Sequence, residues 1–547
     1  MVLKNGMVLN VFTEELICAD VAVVDGMIAG VGTYRGELEV DCTGRYLVPG
    51  LIDGHMHIES TMVTPPELAY CVAGQGTTTL IADPHEIVNV AGAGGMKYML
   101  DATEQLPVNV FFMLPSCVPA ADIDTNGAGK FLASDMKPFL QHSRVLGLGE
   151  VMRFGDVLTE QPEIMEKLEL FRNETVDGHA PGIAGNDVQA YRAAGVCNDH
   201  ECTTKEEVLD KLRAGFYILI REGSAARNLE TLVQAVLEEH MPFERCLFCT
   251  DDKHLEEIEK EGHINYCVRK AIAMGVPAVK AYKMASYYTA KAFGLKKLGA
   301  IGAGYQADIL VMDDLESVKP ELIFQKGRQV SAENGENWHC GLVAPSLLGS
   351  VICESLTGEK LRLKVEGPMH VMEMVPKQLL TLHRYENIPE KDGFFAPNAE
   401  YGKLCVTERH GRTGRTAVCP LKGYGIVGGA VATSVSHDAH NIIAAGDNDE
   451  DIIAAVEELR RIQGGYAIAS HGKVLNSLPL QVAGLMSCFT AEEVKKKVQK
   501  MEEQARALGV REGIEPFITL SFMALTVIPQ IRLTEAGLYD AEKGSFL

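Results

Sequence analysis

The segment Leu51-Ile-Asp-Gly-His-Met-His57 is a short apolar run that ends in two histidines separated by one residue. In an extended chain, residues two apart point to the same side, so His55 and His57 project together where this strand ends. Two neutral imidazoles on one face suit a divalent transition metal, whereas the same pair in a plain turn has no such role. The segment therefore predicts a strand that ends at a metal site, provided that the rest of the chain supplies further ligands.

The segment also opens a long series, between residues 49 and 297, in which apolar runs alternate with helical stretches. The later apolar runs cover residues 79–81, 108–114, 145–148, 195–196, 216–220 and 246–249. Strands that are each followed by a helical pattern predict repeated βα units and a parallel sheet. About 250 residues of such units are typical of a (β/α)₈ barrel of the TIM type, so we predict that residues 49–297 form one catalytic barrel domain.

Glycine-punctuated strand patterns lie on both sides of the predicted barrel. Residues 1–48 read as short strands, two of them joined by the hairpin signal Asp25-Gly26. Strand patterns return from residue 298 onward. We expect residues 1–48 and 298–345 to come together as one small composite β-sandwich domain.

The remaining residues, 346–547, mix the two kinds of pattern. Strand patterns cover 361–365 and 425–435, and amphipathic helix patterns cover 447–463 and 492–508. This mixture predicts an additional C-terminal α+β domain.

Polar side chains follow four of the later barrel strands. Glu150 ends the run 145–149, His179 lies in Asp177-Gly-His-Ala-Pro-Gly182, His200 in Asn198-Asp-His-Glu-Cys202, and Asp251 directly follows the run 246–250. Parallel barrel strands all open toward one face, so residues at their carboxyl ends converge although they are distant in sequence. Together with the first pair, four histidines and two carboxylates are enough for two divalent metals, with one bridging carboxylate and an open position for water.

The composition excludes several classes of partner. The chain has 547 residues, of which 46% are hydrophobic, and its 51 Lys and Arg against 74 Asp and Glu give a net charge of −23. This charge repels phosphate backbones and anionic lipid heads, so we expect neither a nucleic-acid nor a membrane partner. The chain shows no signal-peptide pattern, and its 14 scattered cysteines do not resemble a disulfide scaffold. We therefore predict a cytoplasmic protein.

Longer motifs point to a family. The stretches Asp41-Cys-Thr-Gly-Arg-Tyr-Leu-Val-Pro-Gly-Leu-Ile-Asp-Gly-His-Met-His57 and Gly304-Tyr-Gln-Ala-Asp-Ile-Leu-Val311 resemble the two flanks of the barrel in the amidohydrolase superfamily. Further motifs resemble its prokaryotic adenine deaminase family: Gly54-His-Met-His-Ile-Glu-Ser60, Ala82-Asp-Pro-His-Glu-Ile87, Leu114-Pro-Ser-Cys-Val-Pro119, Gly149-Glu-Val-Met152, Asp177-Gly-His-Ala-Pro181, Ile220-Arg-Glu-Gly-Ser224, Thr250-Asp-Asp252 and Ser434-Val-Ser-His-Asp-Ala-His-Asn441. The resemblance covers essentially the full length of the chain.

The resemblance implies a ligand set, a metal and an assembly. It places His55, His57 and Asp251 on one metal ion, His179 and His200 on the other, and Glu150 between the two. Many superfamily members carry a carbamylated lysine at this position. The presence of Glu150 in its place argues against a dihydroorotase or a dihydropyrimidinase. The implied metals are Mn(II) or Fe(II), although the residue set alone also accepts zinc. The resemblance further implies a homodimer.

The implied reaction is the hydrolytic deamination of adenine, a small purine base. Water held between two divalent cations is acidified toward neutrality, so a hydroxide bridging the two metals is available. The resemblance implies that this hydroxide attacks carbon 6 of adenine. Asp251 then takes its proton and passes it to the departing amine, which yields hypoxanthine and ammonia.

Six further residues are candidates for binding the purine or for lining the site: Glu59, His85, Arg221, Glu222, His437 and Asp438. The alternative role for Glu59, Arg221 and Glu222 is that of a solvated surface charge or of a partner in a salt bridge. For His85 the alternative is a structural histidine. The loop that carries His437, Asp438 and His440 either faces solvent, binds the substrate over the barrel mouth, or holds an extra metal.

Three rival interpretations come from other classes. The zinc site of cytidine deaminases needs H-x-E followed by P-C-x-x-C, and here Arg245 stands in place of the proline before Cys246 and Cys249. A different amidohydrolase that cleaves the C–N bond of a cyclic amide or of another aminated heterocycle would use the same ligands. A non-catalytic barrel scaffold would not need all six of them.

Overall fold

A computed structural model describes residues 1–224, 226–330, 343–378 and 380–547. The chain begins with five short strands: β1 (Val2–Asn10), β2 (Glu15–Val24), β3 (Met27–Gly32), β4 (Glu39–Asp41) and β5 (Tyr46–Pro49). The hairpin predicted at Asp25-Gly26 joins β2 to β3, which pair antiparallel. Both turn residues have positive φ angles, 49° and 78°, as a two-residue hairpin turn requires.

Eight parallel strands follow, as a group of five and a group of three. They are β6 (Leu51–Met56), β7 (Thr77–Ala82), β8 (Asn109–Leu114), β9 (Val145–Val151), β10 (Thr175–Gly178), β11 (Asn198–Asp199), β12 (Tyr217–Arg221) and β13 (Cys246–Cys249). The Asp251 N–H donates to the His55 carbonyl at 2.9 Å and the His57 N–H donates to the Asp251 carbonyl at 3.1 Å, so the last strand meets the first. The predicted (β/α)₈ barrel is confirmed.

Helices connect the barrel strands and surround them: α1 (Pro65–Ala73), α2 (His85–Ala91), α3 (Ala93–Ala102), α4 (Ala133–Met136), α5 (Phe154–Leu158), α6 (Pro162–Leu170), α7 (Asn186–Ala193), α8 (Lys205–Arg213), α9 (Leu229–Glu238), α10 (Leu255–Glu261), α11 (Ile264–Ala273), α12 (Ala278–Met284) and α13 (Tyr287–Ala292). Local sequence sets several of their ends. Thr204 and Glu207 form a capping box at the start of α8, in which each side chain accepts a hydrogen bond from the backbone N–H of the other residue.

After the barrel the chain returns to the N-terminal strands through β14 (Ile309–Met312), β15 (Pro320–Gln325) and β16 (Arg328–Gln329). Strand β14 pairs antiparallel with β5, and the result is one sheet of eight strands with a hydrophobic core of its own. Residues 331–342, which belong to the predicted composite domain, lie outside the described residues.

The C-terminal region is a mixed α/β structure. Its strands are β17 (Met369–Met374), β18 (Thr381–Glu386), β19 (Glu390–Lys391), β20 (Phe394–Phe395), β21 (Tyr401–Thr407), β22 (Thr416–Lys422), β23 (Ala430–Thr433), β24 (Ile442–Gly446), β25 (Gly465–Ser470), β26 (Lys473–Pro479), β27 (Ile531–Thr534), β28 (Gly537–Asp540) and β29 (Ser545–Phe546). Its helices are α14 (Pro345–Leu348), α15 (Asp449–Ile462), α16 (Ala491–Ala507) and α17 (Ile518–Ser521).

The two long helices confirm the amphipathic patterns, whereas the strand patterns are only partly right. The predicted strand at 425–435 shortens to β23, because Gly425 and Gly428 adopt positive φ angles of 89° and 67° in the turn before it. The predicted strand at 361–365 is wrong. This stretch makes only an isolated bridge between Lys364 and Phe394, since the strand opposite it, β20, is two residues long.

The C-terminal region packs over the carboxyl ends of the barrel strands. Its apolar side chains belong to the same hydrophobic cluster as those of the barrel. Polar contacts also cross the boundary: the Asn441 side chain donates to the Thr125 carbonyl at 3.1 Å, and the Ser487 N–H donates to the Met62 carbonyl at 2.8 Å. The face of the barrel on which the predicted ligands meet is therefore roofed by residues from the far end of the chain.

Two further findings bear on the predicted setting of the protein. Among the described helices, none combines the length and the apolar character that a membrane span requires. Twelve of the described cysteines are free thiols, and Cys488 is disulfide-bonded.

Candidate active site

The structure brings the six predicted metal-ligating side chains together at one end of the barrel. His55 lies in β6 and Glu150 in β9, whereas the other four follow the ends of β6, β10, β11 and β13. All except His55 line a cavity of about 370 Å³. His55 lies directly behind it, with its imidazole stacked on that of His200 at a centroid distance of 4.2 Å.

Glu150 occupies the centre of the cluster. Its Oε1 lies 3.3 Å from His57 Nε2, and its Oε2 lies 2.7 Å from His179 Nδ1 and 3.3 Å from His200 Nε2. One carboxylate oxygen thus faces the histidine from the first strand, and the other faces the two histidines from the later strands. This is the position that a bridging ligand between two metal ions needs.

Asp251 faces the first pair of histidines. Its Oδ1 lies 3.0 Å from His57 Nε2 and 3.6 Å from His55 Nε2. Ligand atoms of these three residues lie within 4.8 Å of one another, as do those of the set His55, Glu150 and His200. Nitrogen and oxygen donors at this spacing fit divalent iron, manganese or zinc.

The hydrogen bonds of the histidines agree with a ligand role. His57 Nδ1 lies 2.8 Å from the carbonyl oxygen of Asp83 and must donate its proton there, so the lone pair of Nε2 is directed at Glu150 and Asp251. Both ring nitrogens of His55 are buried without a hydrogen-bond partner. A buried polar atom without a partner is costly, and coordination would satisfy it.

The electrostatics of the site favour cations. Burial by itself would raise the pKa of Glu150, but the surrounding histidines hold that pKa well below its usual range. Burial likewise opposes a charge on His55, yet the carboxylates of Asp177 and Asp251 raise its pKa to about 10. The Glu150 carboxylate therefore stays ionised, as metal coordination requires.

Buried acidic residues that do not touch the cavity hold the ligands in place. Asp83 Oδ2 accepts the N–H of Glu150 at 2.9 Å. Asp199 accepts the N–H of Ala180 at 2.9 Å and pairs with the ammonium of Lys211 at 2.8 Å, with both charged groups fully buried. These contacts fix the strand ends that carry Glu150, His179 and His200.

Four of the six predicted substrate-binding candidates line the cavity. His85 Nδ1 lies 3.1 Å from Glu150 Oε1, and its Nε2 lies 3.7 Å from Asp438 Oδ1. The ring of His437 stacks on Phe522 at 4.6 Å. Arg221 donates to Asp251 Oδ2 and, at 2.6 Å, to Glu201. The loop with His437 and Asp438 therefore closes over the barrel mouth and does not face solvent.

Two candidates lie elsewhere, and the salt-bridge alternative holds for one of them. Glu222 is fully buried away from the cavity, where it pairs with Lys270 at 2.8 Å and accepts the N–H of Leu229 at 3.2 Å. Glu59 also does not line the cavity, and its Oε1 accepts the N–H of Ile87 at 3.2 Å. Both residues act in packing around the site.

The extra-metal interpretation of the loop stays a prediction, because the ligand atoms of Glu86 and His437 lie within 4.8 Å of those of His440. Its Nδ1 accepts the N–H of Ser436 at 3.2 Å, so in the neutral ring the proton sits on Nε2. That Nε2 lies 4.0 Å from Glu86 Oε2, and neither atom has a hydrogen-bond partner among the described residues, so Nε2 would have to lose its proton to bind a metal ion.

Several residues that line the cavity were not predicted from the sequence. Glu201 lies 3.5 Å from His200 Nε2 and 3.7 Å from His179 Nδ1, and its position directly after His200 was a usable signal. Glu86 lines the cavity next to His85. No motif near the barrel strands predicted the apolar side chains that cover the cavity, because they come from a distant stretch of the chain: Phe522, Leu525, Val527, Ile528 and Pro529.

Comparisons with known proteins agree with this site. Residues 46–331 match the Amidohydrolase family, so the chain belongs to the amidohydrolases. Residues 378–545 match the adenine deaminase C-terminal domain. The chain is 47% identical to an adenine deaminase of Desulfitobacterium hafniense, over 100% of this chain and 96% of that protein, and 41% identical to one of Bacillus subtilis, over 99% and 95%. It is a member of the adenine deaminase family, as the sequence motifs predicted.

Among solved structures, the crystal structure of an adenine deaminase aligns with a TM-score of 0.47 at 18% identity, and the alignment covers 60% of this chain and 99% of that chain.

Proposed function

We propose that this protein deaminates adenine to hypoxanthine and ammonia with two divalent metal ions. His55, His57 and Asp251 would hold one ion, His179 and His200 the other, and Glu150 both. The observation that carries this proposal is the position of the Glu150 carboxylate, which faces His57 with one oxygen and His179 and His200 with the other. Membership of the adenine deaminase family supports adenine as the substrate.

The metal pair, when bound, supplies a water molecule acidified to hydroxide near neutral pH. The protein's own contribution to proton transfer centres on Asp251. Its Oδ2 accepts a hydrogen bond from Arg221, whose other partner is Glu201, so the carboxylate is held in one orientation. Asp251 can then take a proton from the attacking water and deliver it to the amine that leaves carbon 6.

The cavity offers an apolar enclosure with a few polar groups, which suits a purine ring. Phe522, Leu525 and Val527 form part of the roof, and Met152 lies on the barrel side. Apolar side chains exclude water and pack against the faces of a flat ring. Substrate selection therefore depends on the polar side chains at its edge.

We propose that Asp438 reads an N–H group of the purine. This residue is 3% exposed and lines the cavity, and its Oδ2 has no hydrogen-bond partner within the described part of the chain. A buried acceptor without a partner is costly unless a bound ligand completes it. Adenine carries both a ring N–H and an exocyclic amine, either of which would satisfy this oxygen.

Replacing Asp438 by asparagine is expected to raise the KM for adenine by about 10- to 100-fold, with a smaller change in kcat, because a hydrogen bond to a charged group is lost. Steady-state ammonia release measures both constants. Asp392→Asn, on an exposed turn, is the matched control and should leave both unchanged. An unaltered KM in Asp438→Asn would remove this residue from substrate recognition.

The proposed function itself is tested with a panel of purines, pyrimidines and cyclic amides. The enzyme is loaded in turn with Mn(II), Fe(II) or Zn(II), and ammonia release is measured. We expect adenine to be the best substrate, with Mn(II) or Fe(II) giving the higher rate. Hydrolysis of a cyclic amide without ammonia release from adenine would instead assign the site to another C–N hydrolase, and no turnover by any loaded form would indicate a scaffold protein.

The cytoplasmic location and the homodimer remain part of this proposal. The net charge of −23 supports the absence of nucleic-acid and anionic membrane partners. The homodimer rests on family resemblance, and sedimentation of the purified protein checks it.

A further inference from the structure

A second and larger cavity, of about 600 Å³, lies between the barrel and the C-terminal region. Barrel residues such as Ser224 and Leu255 form one side of it, and Val494 and Val498 of α16 form the other. It shares no lining residue with the candidate active site. The proposed deamination mechanism makes no use of this cavity.

Two carboxylates in its lining have no cationic partner among the described residues. Glu515 Oε2 accepts the N–H groups of Phe517 and Ile518, and its Oε1 has no hydrogen-bond partner among the described residues. Glu502 makes no ion pair in the described structure. Burial and neighbouring carboxylates raise the pKa of Glu502 to about 7 and that of Glu515 to about 8, the opposite of what a paired cation would cause.

A buried phenol points to the same place. Tyr466 is 2% exposed, lines the cavity, and its ring stacks face to face on Phe517 at 4.1 Å. Its hydroxyl has no hydrogen-bond partner within the described chain. Tyrosine hydroxyls inside a protein are normally hydrogen-bonded, so this group is available to a molecule bound in the cavity. Burial, and then Glu515 and Glu502, raise the pKa of Tyr466 well above its usual range, so both carboxylates lie near the phenol.

Two of the three Lys and Arg side chains that line the cavity form ion pairs elsewhere. Arg227 pairs with Glu257 at 2.6 Å and with Glu261 at 3.0 Å. Lys495 pairs with Glu259 at 2.5 Å and with a second glutamate of its own helix. Lys377 is exposed and makes no ion pair in the described part of the structure. The cavity therefore has two carboxyl groups without an ion pair on one side and an apolar wall on the other, where Met62, Leu255 and Val494 are buried.

We propose that this cavity binds an aliphatic oligoamine, a molecule with two or more ammonium groups on an alkyl chain. The ammonium groups would pair with Glu502 and Glu515 and donate to the Tyr466 hydroxyl, while the methylene groups lie against the apolar wall. A small inorganic cation would leave that wall and most of the volume unfilled. A neutral apolar molecule would leave both carboxylates and the phenol unsatisfied.

The occupant would touch a loop that belongs to the candidate active site. The Ser224 N–H donates to the carbonyl of Asp252 at 2.7 Å, and the His254 N–H donates to the Ser224 hydroxyl at 2.9 Å. Asp252 directly follows Asp251. Binding in the second cavity therefore contacts the segment that carries the proposed proton-transfer group.

The test is calorimetric titration of the full-length, metal-loaded protein with spermidine. The titration is made in about 0.15 M NaCl, where loose attraction to an acidic surface is screened. We expect saturable binding of one spermidine per chain. Affinity should fall at least about tenfold in Glu502→Gln and in Glu515→Gln, since each substitution removes a charge-assisted hydrogen bond.

Glu503→Gln is the matched control, because it makes the same charge change on the next residue of the same helix, where the side chain is exposed. It should bind like the unaltered protein, and 1,8-octanediol, an uncharged chain of similar length, should not bind. Tyr466→Phe keeps the ring stacking and should weaken binding by about three- to tenfold, which gives an answer even if a glutamate variant fails to fold. Absence of saturable binding, an equal loss in Glu503→Gln, or equal binding of the diol would overturn the proposal. These readouts do not depend on adenine turnover.

Discussion

Asp251→Asn is expected to lower adenine turnover by about three orders of magnitude or more while two equivalents of metal remain bound. Asparagine has the shape of aspartate and keeps one carbonyl oxygen for the metal. Its amide cannot accept a proton from the attacking water, and the loss of a general acid–base group typically costs about 10²- to 10⁴-fold. Ammonia release gives the rate, and elemental analysis of the same sample gives the metal content.

The structure sharpens this expectation. Asp251 Oδ1 faces the histidines at 3.0 and 3.6 Å, whereas Oδ2 is held by Arg221. The two oxygens thus have separate environments. Asp187→Asn, on the exposed first turn of α7, makes the same chemical change away from the site and should have full activity. Turnover by Asp251→Asn within tenfold of the unaltered enzyme would contradict the proposed role in proton transfer. Loss of bound metal from this variant would instead indicate that Asp251 acts only as a metal ligand.

Glu150→Gln is expected to reduce the bound metal from two equivalents to one or none, with activity falling at least about 10³-fold. The carboxylate contacts His57, His85, His179 and His200, each within 3.3 Å. Glutamine has no charge, and its amide nitrogen would present hydrogen atoms to nitrogens whose lone pairs are needed for coordination. Metal analysis after dialysis against a fixed concentration of Mn(II) measures the loss directly.

A glutamate-to-glutamine substitution at the surface is the control, because it distinguishes loss of the central carboxylate from a non-specific effect of the substitution. Glu169 on α6 has a side chain that is 70% exposed, so Glu169→Gln should retain both metal equivalents and full turnover. If Glu150→Gln also retained two equivalents and full turnover, the two-metal site would need a different bridging group, and the proposed function would lose its central observation.

The predictions succeeded where the chemistry is local and periodic. A strand that ends in two histidines, followed by apolar runs that each end in a polar residue, predicted the barrel and brought Glu150, His179, His200 and Asp251 into the set. The amphipathic helices also follow from a repeat within a single segment. Such patterns survive in the linear sequence because each strand or helix must bury its own apolar face.

The errors arose where side-chain direction depends on neighbours. Arg221 and Glu222 are adjacent at the end of β12, and both were candidates for the purine site. Successive side chains of a strand point to opposite sides, so only one of the two can face the cavity. Arg221 contacts Asp251 there, whereas Glu222 turns to Lys270 on a packing helix. A strict alternation rule could have separated them only if the register of this short strand had been known.

The sequence by itself determined the barrel, the order of the candidate ligands along it and the family to which the chain belongs, because these depend on short-range periodicity and on the residue types that can coordinate metals. Only the tertiary structure decided that Phe522, His437 and Asp438 close the barrel mouth, that Glu59 and Glu222 do not reach it, and that a second cavity lies beneath α16. Those arrangements depend on how a C-terminal sheet packs against a distant barrel face. No local pattern encodes that packing, because the contacts join residues several hundred positions apart.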